Sequence, residues 1–122
     1  MANVKESLDK IMQVEGAVGA CVVDSSSGMM LGAVGGSPQF NIEVAAASNT
    51  EVVRAKRKAM KALNLDDRIE DILITLGKQY HIIRLCAGND ALFIYVVLDK
   101  LRANLAMARL QIGETERSMQ IA

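Results

Sequence analysis

The sequence predicts an α+β fold in the order helix, hairpin, helix, three-stranded meander, helix, an antiparallel sheet with helices on both faces. Three observations carry that prediction. Three apolar runs, Ile69 to Leu76, Tyr80 to Cys86 and Ala91 to Leu98, are joined by connections of three and four residues. Links that short suit antiparallel neighbours and are too brief for a parallel crossover. The runs are almost wholly apolar instead of alternating, which requires cover on both sides of the sheet. Finally, the long segment Ser37 to Leu63 has helical periodicity and an apolar arc of roughly half its circumference, against the ~100° stripe that one packing partner needs.

Taken in order, Asn3 with Glu6 three residues on is a helix start, and Val4, Leu8, Ile11 and Met12 recur at helical spacing until Gly16. Ala17 to Val23 and Met29 to Val34 then read as a hairpin around the turn Asp24 to Gly28. Gly32, Gly35 and Gly36 weaken its second strand and favour an edge position or a bent exit. For the long helix, Ser37 before Pro38 is one plausible start and Asn41 the rival cap. Its core stripe comprises Ile42, Ala45, Ala46, Val53, Met60 and Leu63, with Glu43, Thr50, Arg54, Arg57, Lys58 and Lys61 opposite. The last helix is expected from Asp99 or Lys100 to Ile112, presenting Leu101, Leu105, Ala108 and Ile112. Gly113 marks a break, after which residues 114–122 add a turn or two or form a frayed tail.

Two surfaces have no evident cover within one chain. Beside the core stripe of the long helix lies a second strip of Val44, Ser48, Val52, Ala55, Ala59 and Ala62. Small residues there suit another backbone at close range, and a second copy of the same helix satisfies a twofold contact. The plainer alternative is an ordinary buried helix in a monomer. Asn49 and Lys56 intrude on the arc, either snorkelling to solvent or setting register. The second surface is Ile72, Leu73, Ile74, Thr75 and Leu76, which opens the meander without a proline or a central charge to blunt it.

Composition excludes several functions. The 122 residues suit one domain, spanning 1–122, with fourteen basic and fourteen acidic side chains in balance. That balance, with two Tyr and two Phe for stacking, argues against nucleic acid. Ala91 to Leu98, the longest apolar run, is far short of the ~20 residues that span a bilayer, so membrane insertion is not expected. No export signal is visible, and the expected compartment is the cytoplasm. Cys21 and Cys86 lie in apolar strand-like runs as small buried hydrophobes; their redox pairing is open.

Nor do the residues compose an enzyme. The single histidine, His81, sits in a strand without an acidic partner at motif spacing, which fits a packed or rim residue better than a base or ligand. His81, Cys21 and Cys86 fall short of a four-ligand metal site. Ser25, Ser26 and Ser27 read as turn chemistry, and Gly32 to Gly36 lacks the Lys and Ser or Thr of a phosphate loop. The basic cluster Arg54, Lys56, Arg57, Lys58 and Lys61 reads as a solvated, dipole-matched face before a phosphate patch. No catalytic residue, metal or cofactor is expected.

Several phrases together resemble the roadblock family, named for a dynein light chain and including a bacterial gliding-motility regulator. They are GACVVDSSSGMMLG (Gly19 to Gly32), AAASNTEVVRAKRKAMKAL (Ala45 to Leu63), IEDILITLGKQYHIIRL (Ile69 to Leu85) and LFIYVVLDKLRANLAMARLQI (Leu92 to Ile112). The resemblance implies a five-stranded sheet in the order 2-1-5-4-3, the long helix on one face, the terminal helices on the other, and dimers through the long helix and third strand. It also implies a noncatalytic platform or regulator for a small Ras-like GTPase. Alternatives are a self-assembling adaptor with no GTPase partner and, further off, a small-molecule sensor. Arg54, Arg57 and Arg84 stay unranked as groups that could reach a GTPase.

Overall fold

A computed structural model describes residues 3–36 and 41–120. The elements follow the expected order: α1 (Val4–Ile11), β1 (Ala17–Asp24), β2 (Met29–Gly35), α2 (Ile42–Ala62), β3 (Asp71–Thr75), β4 (Gln79–Leu85), β5 (Leu92–Asp99) and α3 (Leu105–Ser118). The five strands form one antiparallel sheet in the order β2-β1-β5-β4-β3. This is the expected α+β architecture with β2 and β3 at its edges.

The apolar strands are explained by two cores. From β5, Leu92, Ile94, Val96 and Leu98 face one side, where Leu8 and Ile11 of α1 and Ala108 and Ile112 of α3 meet them. The residues between, Phe93, Tyr95 and Val97, face α2 and pack with Cys21, Val23, Ala46 and Val53. Successive strand side chains point to opposite faces, so a central strand covered twice has no place for a polar residue. The same alternation separates the cysteines. Cys21 belongs to the α2 side and Cys86 to the other, and both thiols are free.

Helix starts follow the caps. Asn3 Oδ1 accepts from Glu6 N at 2.8 Å. For α2 the cap is Asn41, whose side chain accepts from Glu43 N at 3.0 Å and Val44 N at 3.2 Å. The alternative start at Ser37 and Pro38 lies outside the described residues. Gly32, expected merely to weaken β2, lets α1 approach: a Cβ there would stand 3.0 Å from Val4 Cγ1 and 3.2 Å from Leu8 Cδ1.

The last helix departs from expectation at both ends. Asp99 organises a turn, accepting from Leu101 N and Ala103 N, so α3 waits for Asn104, whose side chain accepts from Met107 N. Leu101 is consequently 95% exposed and off the core face. Gly113 breaks nothing. It is buried mid-helix, where a Cβ would stand 3.3 Å from Arg117 Nη1 and at ordinary contact distance, 3.6 Å, from Arg84 Cζ. The turn beyond it is docked: Glu116 accepts from Arg84 Nε at 3.0 Å and from Ala87 N at 3.1 Å.

Candidate self-association surface

Two arginines fix how α2 is rolled on the sheet. Arg54 donates through Nη2 to the carbonyls of Ser25 and Ser26, at 2.8 and 3.1 Å, in the β1–β2 turn. One turn on, Arg57 donates to the Asp90 carbonyl in the β4–β5 loop. With these held, Ala46, Asn49, Thr50 and Val53 point inward. Thr50 was expected on the solvent side. It is 1% exposed because the helix leans onto the β1–β2 hairpin, and its hydroxyl donates to Ala46 O. Leu63, expected in the core stripe, lies past the last turn and is exposed. That end borders a cavity of about 300 Å³ lined by Met60, Leu65, Ile69 and Leu85 with charged Arg57 and Lys61 among its walls.

On the flank away from the hairpin, Val44, Ser48, Val52, Ala55, Ala59 and Ala62 are all exposed in the single chain, Val44 at 60%. Lys56 is exposed beside them, whereas Asn49 is buried and donates to Ala45 O at 2.7 Å. Because α2 leans towards β1 and β2, the α2-side residues of the other edge, Ile72, Ile74, Gln79 and His81, are left half-buried. Ile72 and Ile74 lie opposite Ile83 and His81, while Leu73 turns to the α1–α3 side. Thr75 ends β3 and is exposed; Leu76 falls in the following turn, where its amide donates to Gln79 O.

The two sheet edges are built differently. β2 carries a bulge against β1 at Val22/Val23, and Gly35 near its end has φ +70°, where a Cβ would meet the Val18 carbonyl at 2.4 Å. Bulges and twists of this kind spoil an edge as a pairing template. β3 pairs with β4 in unbroken register from Asp71 to Thr75. Its start is braced by Arg109 of α3, which grips the Asp71 carboxylate with two bonds of 2.8 and 3.0 Å. The straight edge therefore lies beside the helix flank that lacks cover.

A polar chain joins these elements. Asn49 on α2 donates to the Tyr95 hydroxyl, which lies 3.0 Å from His81 Nδ1, and His81 Nε2 lies 2.9 Å from Gln79 Oε1. Burial lowers the pKa of His81 and pushes Tyr95 up to about 12. His81 is the packed rim residue that its strand context suggests. Its link to Tyr95 was invisible in the sequence, because it depends on the β4–β5 register, which sets His81 opposite Val97 and beside Tyr95.

The other chemical candidates are engaged structurally. Burial raises the Cys21 and Cys86 thiols to about 12, leaving them protonated and unreactive. Arg84 is held by buried Glu116, and Arg54 and Arg57 hold the hairpin turn and the β4–β5 loop. Ser25 donates to Ala91 O and Ser26 to Asp24, as turn residues. No helix among the described residues is long and apolar enough to cross a membrane.

No protein-family model and no curated protein matches the sequence. Solved structures do match in shape. A Roadblock/LC7 domain from Streptomyces avermitilis superposes with a TM-score of 0.80 at 11% identity, covering 96% of this chain and 94% of that one. MglB of Myxococcus xanthus gives 0.81 at 15% identity over 93% and 81% of the two chains. An MglB with a tetrameric arrangement gives 0.80 at 16% identity over 94% and 83%. Element order, sheet order and these superpositions together establish that the chain has the roadblock/LC7 fold.

Proposed function

We propose that this chain is a noncatalytic, single-domain cytoplasmic protein that pairs with itself and serves as a binding platform or regulator for a small Ras-like GTPase. The observation that carries the reading is the adjacency of the uncovered α2 flank and the unblunted β3 edge. A twofold partner laid along both would cover Val44, Ser48, Val52, Ala55, Ala59 and Ala62 and extend the sheet through Ile72, Leu73, Ile74 and Thr75. Interfaces of this type bury ~800 Å² per partner, and an open strand edge adds directional main-chain bonds to that apolar contact.

Support for a GTPase partner comes from the resemblance to the roadblock family and the likeness to MglB. Support for a binding role comes from the engaged state of the candidate catalytic groups. Any acceleration of hydrolysis would use the GTPase's own residues, since Arg54, Arg57 and Arg84 each hold this fold together. Capture from native lysate on the immobilised protein, with and without a nonhydrolysable GTP analogue, is the test. Nucleotide-dependent retention of a small GTPase is the expected result; nucleotide-independent retention of other components, with no GTPase, would replace regulation with an adaptor role.

A further inference from the structure

Backbone bonds at the carboxyl end of α2 build the walls of the cavity there. Asn64 takes φ 55°, the left-handed turn that asparagine tolerates at a helix end. Leu63 N, Asn64 N and Leu65 N donate to Ala59 O, Lys61 O and Met60 O, at 3.1, 3.1 and 2.9 Å. Three of the last helix carbonyls are thereby occupied, and Leu65 is brought back to the level of Met60. The return to the sheet is fixed by Leu85 N, which donates to Glu70 O at 3.1 Å, and the facing β4–β5 loop is held by Arg57 on Asp90 O. Between these anchors lies the cavity of about 300 Å³, walled in part by Met60, Leu65, Ile69 and Leu85.

Its chemistry has two sides. Leu65 is 52% exposed although it forms a wall, and Met60 and Ile69 are half-buried, so apolar area faces the opening. The same walls carry three cations, Arg57, Lys61 and Arg68, against two carboxylates, Asp67 and Asp90, leaving one positive charge in surplus. Asp67 is turned to its own backbone, accepting from Arg68 N at 2.8 Å. Lys61 and Arg68 stand outside the ion pairs of the described residues, which join Arg54 to Glu51, Arg84 to Glu116 and Arg109 to Asp71. The basic cluster of α2 is thus divided: Arg54 and Arg57 hold loops, while Lys61 joins Arg68 of the returning chain beside an apolar floor.

We infer that this cavity binds a short-chain aliphatic monocarboxylate, its chain on Met60, Leu65, Ile69 and Leu85 and its carboxylate on Lys61 and Arg68. One negative charge matches the surplus cation, whereas a dianion such as a phosphate monoester would face Asp67 and Asp90 with charge to spare. A planar carboxylate also suits the guanidinium fork of Arg68. The volume lies at the lower limit of the ~300–1,000 Å³ of small-ligand sites, which restricts the guest to a short chain. The site goes beyond the regulator reading and is separate from the self-association surface. At ~100° per residue, Arg57, Met60 and Lys61 centre on the side of α2 opposite Ala55, Ala59 and Ala62.

The test is calorimetric titration of the full chain with sodium butanoate, hexanoate and octanoate, together with methyl NMR shifts on the same protein. Octanoate should saturate at one per chain and shift Met60, Leu65, Ile69 and Leu85. Affinity should rise by up to about fifteenfold for each added pair of methylenes, since each buried methylene contributes roughly fourfold. Octyl phosphate and octylammonium should both bind more weakly than octanoate. Lys61→Ala and Arg68→Ala, at exposed positions, should each weaken octanoate by roughly threefold to tenfold, and Leu65→Gln should flatten the chain-length series. Octanoate that does not saturate, or that shifts only residues elsewhere such as Val44 and Val52 of the open flank, overturns the site. Affinity unchanged in both cation variants overturns it as well, and so does octyl phosphate or octylammonium binding as tightly as octanoate. None of these readings depends on a GTPase, whose retention from lysate decides the regulator reading separately.

Discussion

Glu116→Ala should be among the most damaging single substitutions in the chain. The side chain is 3% exposed and accepts two bonds, from Arg84 Nε at 3.0 Å and from the Ala87 amide at 3.1 Å. Truncation strands both donors and leaves the Arg84 guanidinium facing a methyl group. Breaking a buried pair from one side costs about 3–5 kcal/mol. Arg84 retains 19% exposure and can recover some hydration, which favours the lower end, about 3 kcal/mol. An unfolding entropy of about 2.1 cal/mol/K per residue over 122 residues converts this to a melting-temperature loss of about 12 °C. The assay is thermal and denaturant unfolding followed by circular dichroism. A matching Arg84→Met, alone and combined with Glu116→Ala, completes a cycle in which the double variant should lose less than the two singles summed. If Glu116→Ala shifts the melt by less than about 3 °C, equivalent to under 1 kcal/mol, the last turn of α3 is not docked, and residues after Gly113 fray.

Three further outcomes follow from the geometry. Ala59→Glu places a carboxylate on the exposed α2 flank; light scattering should find the variant monomeric and its monomer unfolding within about 0.5 kcal/mol of wild type, and unchanged mass relative to a dimeric wild type would move the contact elsewhere. Gly35→Ala forces a side chain into φ +70° with its Cβ 2.4 Å from a backbone carbonyl, so chemical denaturation should register a loss of at least about 2 kcal/mol, and a neutral result would mean the β2 exit is drawn wrongly. Because burial holds both thiols near 12, iodoacetamide at mildly alkaline pH should label Cys21 and Cys86 only after unfolding, as mass spectrometry can check; rapid labelling of the native chain contradicts that burial.

The sequence by itself determined the elements and their layering, because those follow from local periodicity and turn chemistry. Apolar runs without alternation demanded cover on both faces of the sheet, and the split of β5 between Ile94, Val96 and Leu98 on one side and Phe93, Tyr95 and Val97 on the other is that cover. Asn3 and Asn41 were readable as caps for the same reason: a cap acts on amides two or three residues away. The surplus apolar strip on α2 was likewise legible as a wheel position, and its six residues are exposed in the single chain.

Tertiary structure decided what depends on partners distant in sequence. Thr50 is buried because the hairpin turn, held by Arg54, rises against α2. Gly113 lies within α3, and the turn beyond it is docked because Glu116 accepts from Arg84 of β4 and from the Ala87 amide. The contrast between a bulged β2 and a straight β3, and the meeting of Asn49, Tyr95, His81 and Gln79, exist only once the strands are in register. Local patterns fix which face a residue takes along its own element; the neighbour across that face is set by the packing of the whole chain.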